Sequence, residues 1–331
     1  MTKSSSIAVT VIQGDALRFH ADVLVLKHAQ ALYGVDNAAY ASLTAAGVTV
    51  NLPAIGSHHL VPSSSAVGAD SVLFIGVEVL DDFNYGEIRE FGRRAISILS
   101  TLSPSPRHVA VTLHGPGYGL DETESFESEL AGVVDAIAQS DCPEGLETIT
   151  FVERDRKRVQ RLKAILSKLL PSGRLDRTGR GPWTGLGVAA KSALRTAGYG
   201  SAAKRRVFVA MPFAEEMSDL FHYGIQGAVN GAGLLAERAD LATFTGDVME
   251  WVRARISNAN LVIADLTSSN PNVFLEVGYA WGKGIPTVLI AKNTEVLKFD
   301  VRGQRCILYS SIKDLEEKLE RELAGLGADQ T

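Results

Sequence analysis

The sequence predicts an α/β protein of two domains, an α/β sandwich followed by a doubly wound parallel sheet. Three observations lead there. Strand-like runs rich in Val, Ile and Leu alternate with runs of helical periodicity along most of the chain, the pattern of layered βαβ structure. The length of 331 residues exceeds the usual size of one domain. Charge is also unevenly placed: residues 1–170 carry 14 Lys+Arg against 20 Asp+Glu, residues 207–331 carry 11 against 17, and residues 171–206 carry 8 basic residues with Asp176 as their one acid. The expected map is a domain over 1–170, a basic Gly/Ser-rich linker over 171–204 and a second domain over 205–331.

In the first half, SIAVTVIQ (6–13), DVLVLKHA (22–29), SVLFIGVEV (71–79), HVAVTLHG (108–115) and TITFVER (148–154) read as buried or half-buried strands. YGEIREFGRRAISILSTL (85–102) and SFESELAGVVDAIAQS (125–140) have apolar residues at helical spacing. The acids of DETESFE (121–127) suit a helix N-terminus, where they complement the backbone dipole. RDRKRVQRLKAILSKLL (154–170) is an amphipathic helix with a basic outer face that ends before Pro171. His58 and His59 lack a partner at metal-site spacing and read as a surface loop.

The strip from Pro171 to Arg206 is rich in residues that resist regular structure, although VAAKSALRTA (188–197) has the pattern of a short helix. Two readings of it are open, a solvated linker and an electrostatic contact with an anionic ligand, nucleic acid or the acidic domains. Trp183 and Tyr199 are its only aromatic rings, a poor platform for stacking bases, so nucleic acid is not an expected partner.

In the second half, RVFVAMPF (206–213) is a strand, LFHYGIQGAVNGAG (220–233) a helix ending in glycine, and LLAERAD (234–240) a short strand. DVMEWVRARISNA (247–259) is a helix with Asp247 placed to cap it, and LVIADLT (261–267) a buried strand. NPNVFLEVGYAWGKG (270–284), PTVLIAK (286–292) and SIKDLEEKLERELAGLG (311–327) complete the run as helix, strand and closing helix. Four main strands and four helices predict a compact doubly wound sheet, whose ligands bind in the crevice beyond the carboxyl ends of its strands.

The helix over 270–284 holds the residue on which function turns. Asn270 is a good N-cap, and Pro271 fits the first helical position, where its missing N–H costs nothing. Val273, Phe274, Val277, Ala280 and Trp281 form one apolar face, with Asn272, Glu276, Tyr279 and Lys283 opposite. By periodicity alone Glu276 is a solvated glutamate near Lys283. Topology supplies a second reading. Asp265 ends a buried strand, so the helix that follows starts over the same carboxyl edge, and Asp265, Asn270, Asn272 and Glu276 converge on one rim.

These stretches carry a resemblance. M-P-F after the first strand, A-D-L-T after the middle strand and N-P-N-V-x-x-E-x-G-Y-A are similar to the nucleoside 2-deoxyribosyltransferase-like branch of the TIR superfamily, over roughly residues 205–310. The resemblance implies a flavodoxin- or TIR-like fold in which Glu276 attacks or stabilises the anomeric carbon as an N-glycosidic bond breaks. Asp265 would hold ribose hydroxyls or the base, Met211, Pro212 and Phe213 would line the pocket, and Asn270 and Asn272 would bound it. The transferases of that family tend to carry an aspartate where Asn270 stands, and an amide cannot trade a proton at neutral pH. Hydrolysis of NAD is therefore favoured over base exchange, because nicotinamide leaves as a neutral molecule. NAD is expected as substrate, with no cofactor and no metal.

VIQGDALRFHADVLVLKHA (11–29) and TLHGPGYGLDETESFESEL (112–130) resemble macro domains, over roughly residues 7–155. The likeness implies that Gly14 and Asp15 contact an adenine-like base, that Gly34 supplies a flexible turn, and that Gly115, Gly117, Tyr118 and Gly119 cradle phosphates. A tight turn is the competing reading of that glycine run. The asparagine-containing loop of the family is absent after the second strand, so ligand binding without ADP-ribose hydrolysis is expected. The pairing of domains resembles bacterial anti-phage effectors. It implies a cytoplasmic homo-oligomer whose nucleotide-type signalling ligand switches on NAD hydrolysis. The rivals are a nucleoside or nucleotide deoxyribosyltransferase or nucleosidase of salvage metabolism, and a nucleotide-binding scaffold without catalysis.

Composition bounds these readings. Apolar residues make up 46% of the chain, enough for sizeable cores, and no uncharged apolar run reaches the roughly 18 residues of a membrane span. The opening residues lack the hydrophobic stretch of a signal peptide. Cys142 and Cys306 stand far apart, which argues against a disulfide framework and fits a reducing cytosol.

Overall fold

The structure, a computed structural model, describes residues 6–80, 82–177, 181–212, 214–238, 248–292 and 305–328. It divides into two compact units, Met1–Pro116 with Glu122–Ser201, and Gly117–Asp121 with Ala202–Thr331. Among the described residues no helix is long and apolar enough to cross a membrane.

The first unit runs β1 (Ser6–Gln13), β2 (Val23–His28), α1 (Gly34–Ala45), β3 (His58–Pro62), β4 (Ser71–Gly76), α2 (Tyr85–Leu99), β5 (His108–Val111), α3 (Glu122–Ala138), β6 (Thr148–Glu153), α4 (Arg156–Leu169), β7 (Arg174–Asp176) and α5 (Val188–Thr196). Its sheet has the order β3-β4-β2-β5-β6-β1-β7. The five strands read from the sequence form the parallel centre, and β3 and β7 are antiparallel additions at the two edges. Every residue of β2 is buried, the apolar run Val23–Leu26 and also Lys27 and His28 after it.

The surface loop expected at His58 and His59 is corrected: both open β3, with His59 opposite Phe74 of β4. Only Val61 of that strand is buried, so a backbone ladder holds it and no side-chain alternation announces it. In the strip expected to link the domains, β7 pairs with β1 and buries Leu175, and α5 buries Ala190 and Leu194. Arg89 secures α5: it grips Asp135 through two bonds of 2.7 and 2.9 Å and donates to the carbonyls of Leu194 (2.9 Å) and Ala197 (2.5 Å). Helices α2 and α3 cross at two glycines, since a Cβ on Gly92 would strike the Glu129 carbonyl and one on Gly132 the Arg89 carbonyl.

The second unit runs β8 (Arg206–Ala210), a wide-turned π-helix (Leu220–Gln226) continuing into α6 (Gly227–Gly231), β9 (Leu235–Glu237), α7 (Val248–Ser257), β10 (Leu261–Asp265), α8 (Pro271–Gly282), β11 (Thr287–Ala291), β12 (Cys306–Leu308) and α9 (Ile312–Ala328). Its sheet is parallel throughout with the order β12-β11-β10-β8-β9, five strands where four were expected. The chain leaves β8 for one edge through β9 and then returns to β10 on the other side. The topological switch point therefore lies between β8 and β10.

Alternate strand residues feed two cores. Val207, Val209 and Ile263 face residues of α9 and the segment 220–229, while Phe208, Ala210, Val262 and Ala264 face α7 and α8. Helices thus cover both faces. On α8 the buried residues are Val273, Val277 and Ala280, and Trp281, expected on that face, is 38% exposed. Phe274 is partly buried against the same core, and so is Tyr279, which was expected on the opposite face. Asp247, expected to cap α7, lies outside the described residues.

Candidate active site

The carboxyl ends of β8 and β10 frame the switch point. Asp265 closes β10 and is fully buried. Its Oδ1 accepts from the Thr267 amide at 2.8 Å, and its Oδ2 accepts from the Tyr309 hydroxyl at 3.0 Å. The Thr267 hydroxyl lies 3.1 Å from that of Tyr309 and accepts from the Lys292 amide at 3.1 Å. Burial raises the pKa of Asp265, against the opposing pull of Thr267, Tyr309 and Lys292. Burial and the neighbouring Asp265 push Tyr309 up as well, so its hydroxyl remains a donor. Both oxygens of Asp265 are thus spent inside the fold, bracing the loop between β10 and α8. Tyr309→Phe should cost about 1–3 kcal/mol by leaving Oδ2 buried without a donor, read as a lower midpoint in urea unfolding.

That loop carries backbone strain. Ser269 has φ of 50°, a left-handed conformation that non-glycine residues rarely hold, directly before Asn270. Asn270 is the N-cap as read from the sequence, its side chain accepting from the Asn272 amide at 2.9 Å, with Pro271 opening the helix. Met211 follows β8 but is 3% exposed and packs in the core with Val209 and Ile225. Pro212 is half-buried beside it, and Phe213 lies outside the described residues.

Glu276 sits one helical turn past Val273 and one before Ala280, both buried, and is itself half-buried. Among the described residues its carboxylate makes no hydrogen bond and no ion pair. The solvated pair with Lys283 is not formed: the Lys283 ammonium stands over the Tyr279 ring at 5.7 Å, and the Tyr279 hydroxyl lies 3.1 Å from that of Ser257. Burial alone raises Glu276 from 4.5 to about 7. A carboxylate held without a counter-charge in a partly dry setting is poised for a cation brought to it. At an effective dielectric of about 20, a unit positive charge some 4 Å away is stabilised by roughly 4 kcal/mol.

In the first unit, the residues named for a ligand also lie at a carboxyl edge. Strands β1, β2 and β5 are parallel through β6, so Gly14 and Asp15 after β1, Gly34 after β2 and Gly115 after β5 share one edge of the sheet. β2 and β5 are neighbours, whereas β1 is two strands from β5, about 10 Å away. Asp15 is already engaged, accepting from the Leu17 amide at 3.0 Å and pairing with Arg154 at 3.0 Å. Gly34 begins α1 with φ of 46°, and Gly115 has φ of 107°. Pro116, Gly117 and Tyr118 form one tight 3-10 turn. Gly117, Tyr118 and Gly119 belong to the second unit, where a Cβ on Gly119 would come within 2.8 Å of the Trp251 ring.

Two groups were invisible to sequence reasoning. Tyr309 lies 44 residues from the Asp265 it serves. In the first unit, Lys27 at the end of β2 is 4% exposed and binds Asp36 of α1 at 2.5 Å. Near it His114, after β5, meets Glu129 of α3 at 3.4 Å. Burial holds His114 well below and Glu129 well above their ordinary values. A lysine inside an apolar strand, nine residues before an aspartate, is the signal that could have found the first pair.

No protein-family model matches the chain, and no curated protein matches it significantly. Among solved structures, a Clostridium botulinum CMP N-glycosidase, BcmB, is 22% identical, with a match that covers 36% of this chain and 99% of that chain at a TM-score of 0.31.

Proposed function

We propose that the second unit is an N-glycosidase that hydrolyses the bond between nicotinamide and ribose in NAD, with Glu276 at the ribosyl centre. One observation carries the reading: Glu276 stands half-buried on the helix that follows β10, and among the described residues its carboxylate has no hydrogen bond and no ion pair. Breaking the glycosidic bond sends its electron pair to the nicotinamide nitrogen, which leaves neutral, and builds positive charge on the ribose. Glu276 supports that charge from one face. Water then adds to the anomeric carbon and releases its proton to solvent. Asn270 fits this reaction because no proton has to be given to the leaving group. Asn270 and Asn272 are assigned to the ribose hydroxyls, and Asp265 acts through the loop it braces.

The macro-like resemblance of the first unit supports a sensing role for it. A nucleotide-type ligand at the edge shared by Gly14, Asp15, Gly34 and Gly115 would switch on NAD loss in an assembled, anti-phage effector. The test is chromatography of NAD incubated with the full chain, with and without ADP-ribose-like and cyclic nucleotides. Nicotinamide release by the wild type and not by Glu276→Gln supports the reading, and release that survives the substitution removes it.

The pH profile is a separate check. Support of a cation needs the ionised carboxylate, so kcat/KM for NAD should rise tenfold per pH unit below about 7 and level off above it. A profile that instead falls through this range as pH rises would make Glu276 a proton donor.

A further inference from the structure

The amino edge of the second unit's sheet, opposite the edge that carries Asp265, encloses a cavity of about 420 Å³. Leu234, Leu261, Leu323 and Leu326 form its apolar wall. The backbone there is already satisfied, with the Leu235 amide donating to the Arg205 carbonyl at 3.0 Å, Asn260 to Arg206 at 2.8 Å and Val262 to Pro286 at 2.9 Å. An entering ligand therefore finds few main-chain partners at these strand starts, and apolar surface dominates.

The charge of the lining is of one sign. The charged lining residues are Lys204, Arg205 and Arg206, and no carboxylate is among them. Arg206 is answered by Glu237 at 3.9 Å. Arg205 is exposed, and among the described residues its guanidinium makes no hydrogen bond or ion pair. Asn260 turns its Oδ1 to the Arg206 amide at 2.9 Å, which leaves its NH2 as a further donor beside the cavity. Apolar walls with an exposed cation and an amide donor in the lining match a molecule with an apolar body and one anionic head.

We propose that this cavity binds an amphipathic monoanion, its carboxylate on Arg205 and Asn260 and its apolar body against the four leucines. The volume suits a ligand of roughly 10–15 heavy atoms, toward the small end of ligand pockets. The site is independent of Glu276 and of the reaction assigned to it.

Calorimetric titration of the full chain with decanoate, decanol and acetate tests the proposal. Decanoate should bind one to one, decanol about tenfold or more weakly for want of the charge-assisted bonds, and acetate not measurably. Arg205→Ala should bring decanoate down to the affinity of decanol, and Leu326→Trp, which fills the chamber, should remove both. Arg205→Glu, at an exposed side chain on which no packing depends, is the second variant and should lose decanoate while keeping decanol. Equal binding of decanoate and decanol by the wild type, no binding of decanoate, or decanoate affinity untouched by both Arg205 variants would overturn it.

Discussion

Glu276→Gln should abolish nicotinamide release and, at the same time, make the protein more stable above neutral pH. The catalytic loss follows from the charge. An amide of the same shape cannot balance a ribosyl cation, and forfeiting roughly 4 kcal/mol of stabilisation corresponds to about a thousandfold in rate. The gain in stability follows from the same burial. In the unfolded chain Glu276 titrates near 4.5 and in the folded one near 7. Between those values the folded state holds the extra proton, so the wild type loses stability as pH climbs through this window, and the full penalty is present above it. After allowance for partial exposure, the penalty is about 1–2 kcal/mol. The Gln variant carries no such term. Its urea midpoint at pH 8 should exceed that of the wild type, and the two should converge near pH 4.5. A midpoint that is lower at pH 8, or a difference that does not change with pH, would return Glu276 to the solvated surface.

Lys27→Met should be among the most damaging single changes in the first unit, at about 3–5 kcal/mol, because it strands the Asp36 carboxylate. Lys27 and Asp36 are 4% and 2% exposed; Lys27 binds Asp36 Oδ2, and among the described residues Oδ1 has no hydrogen-bond partner. Burial already raises the pKa of Asp36, and Lys27 is the largest influence opposing that rise. Removing Asp36 as well, in a Lys27→Met/Asp36→Leu pair, should recover most of the loss, since two apolar residues of similar volume replace two desolvated charges. Denaturant unfolding of the single and double variants measures both terms. A double variant no better than the single one would show that Lys27 is held chiefly by other partners.

Much of this was legible because it is local. The Asn270 cap and Pro271 start depend on residues one or two positions apart, and the structure has both. The five central strands of the first unit and the four expected in the second betray themselves through runs rich in Val, Ile, Leu and Ala. β3, β7 and β12 do not: they lie at sheet edges, and of their residues only Val61 and Leu175 are buried, so no apolar pattern marks them. Trp281 misled because periodicity assigns a direction to a side chain but not the width of the surface it meets.

By itself the sequence determined the order of the main strands and helices, with Asp265 at the end of a buried strand and Glu276 in the helix that follows, since propensity, capping and alternation act over a few residues. Only the tertiary structure decided what surrounds those two carboxylates. It brought Tyr309 to Asp265 and kept Lys283 on the Tyr279 ring. It also set Glu276 among the buried residues of α8, raising its pKa. Desolvation and hydrogen bonding depend on distances in space, and separation along the chain carries almost no information about them.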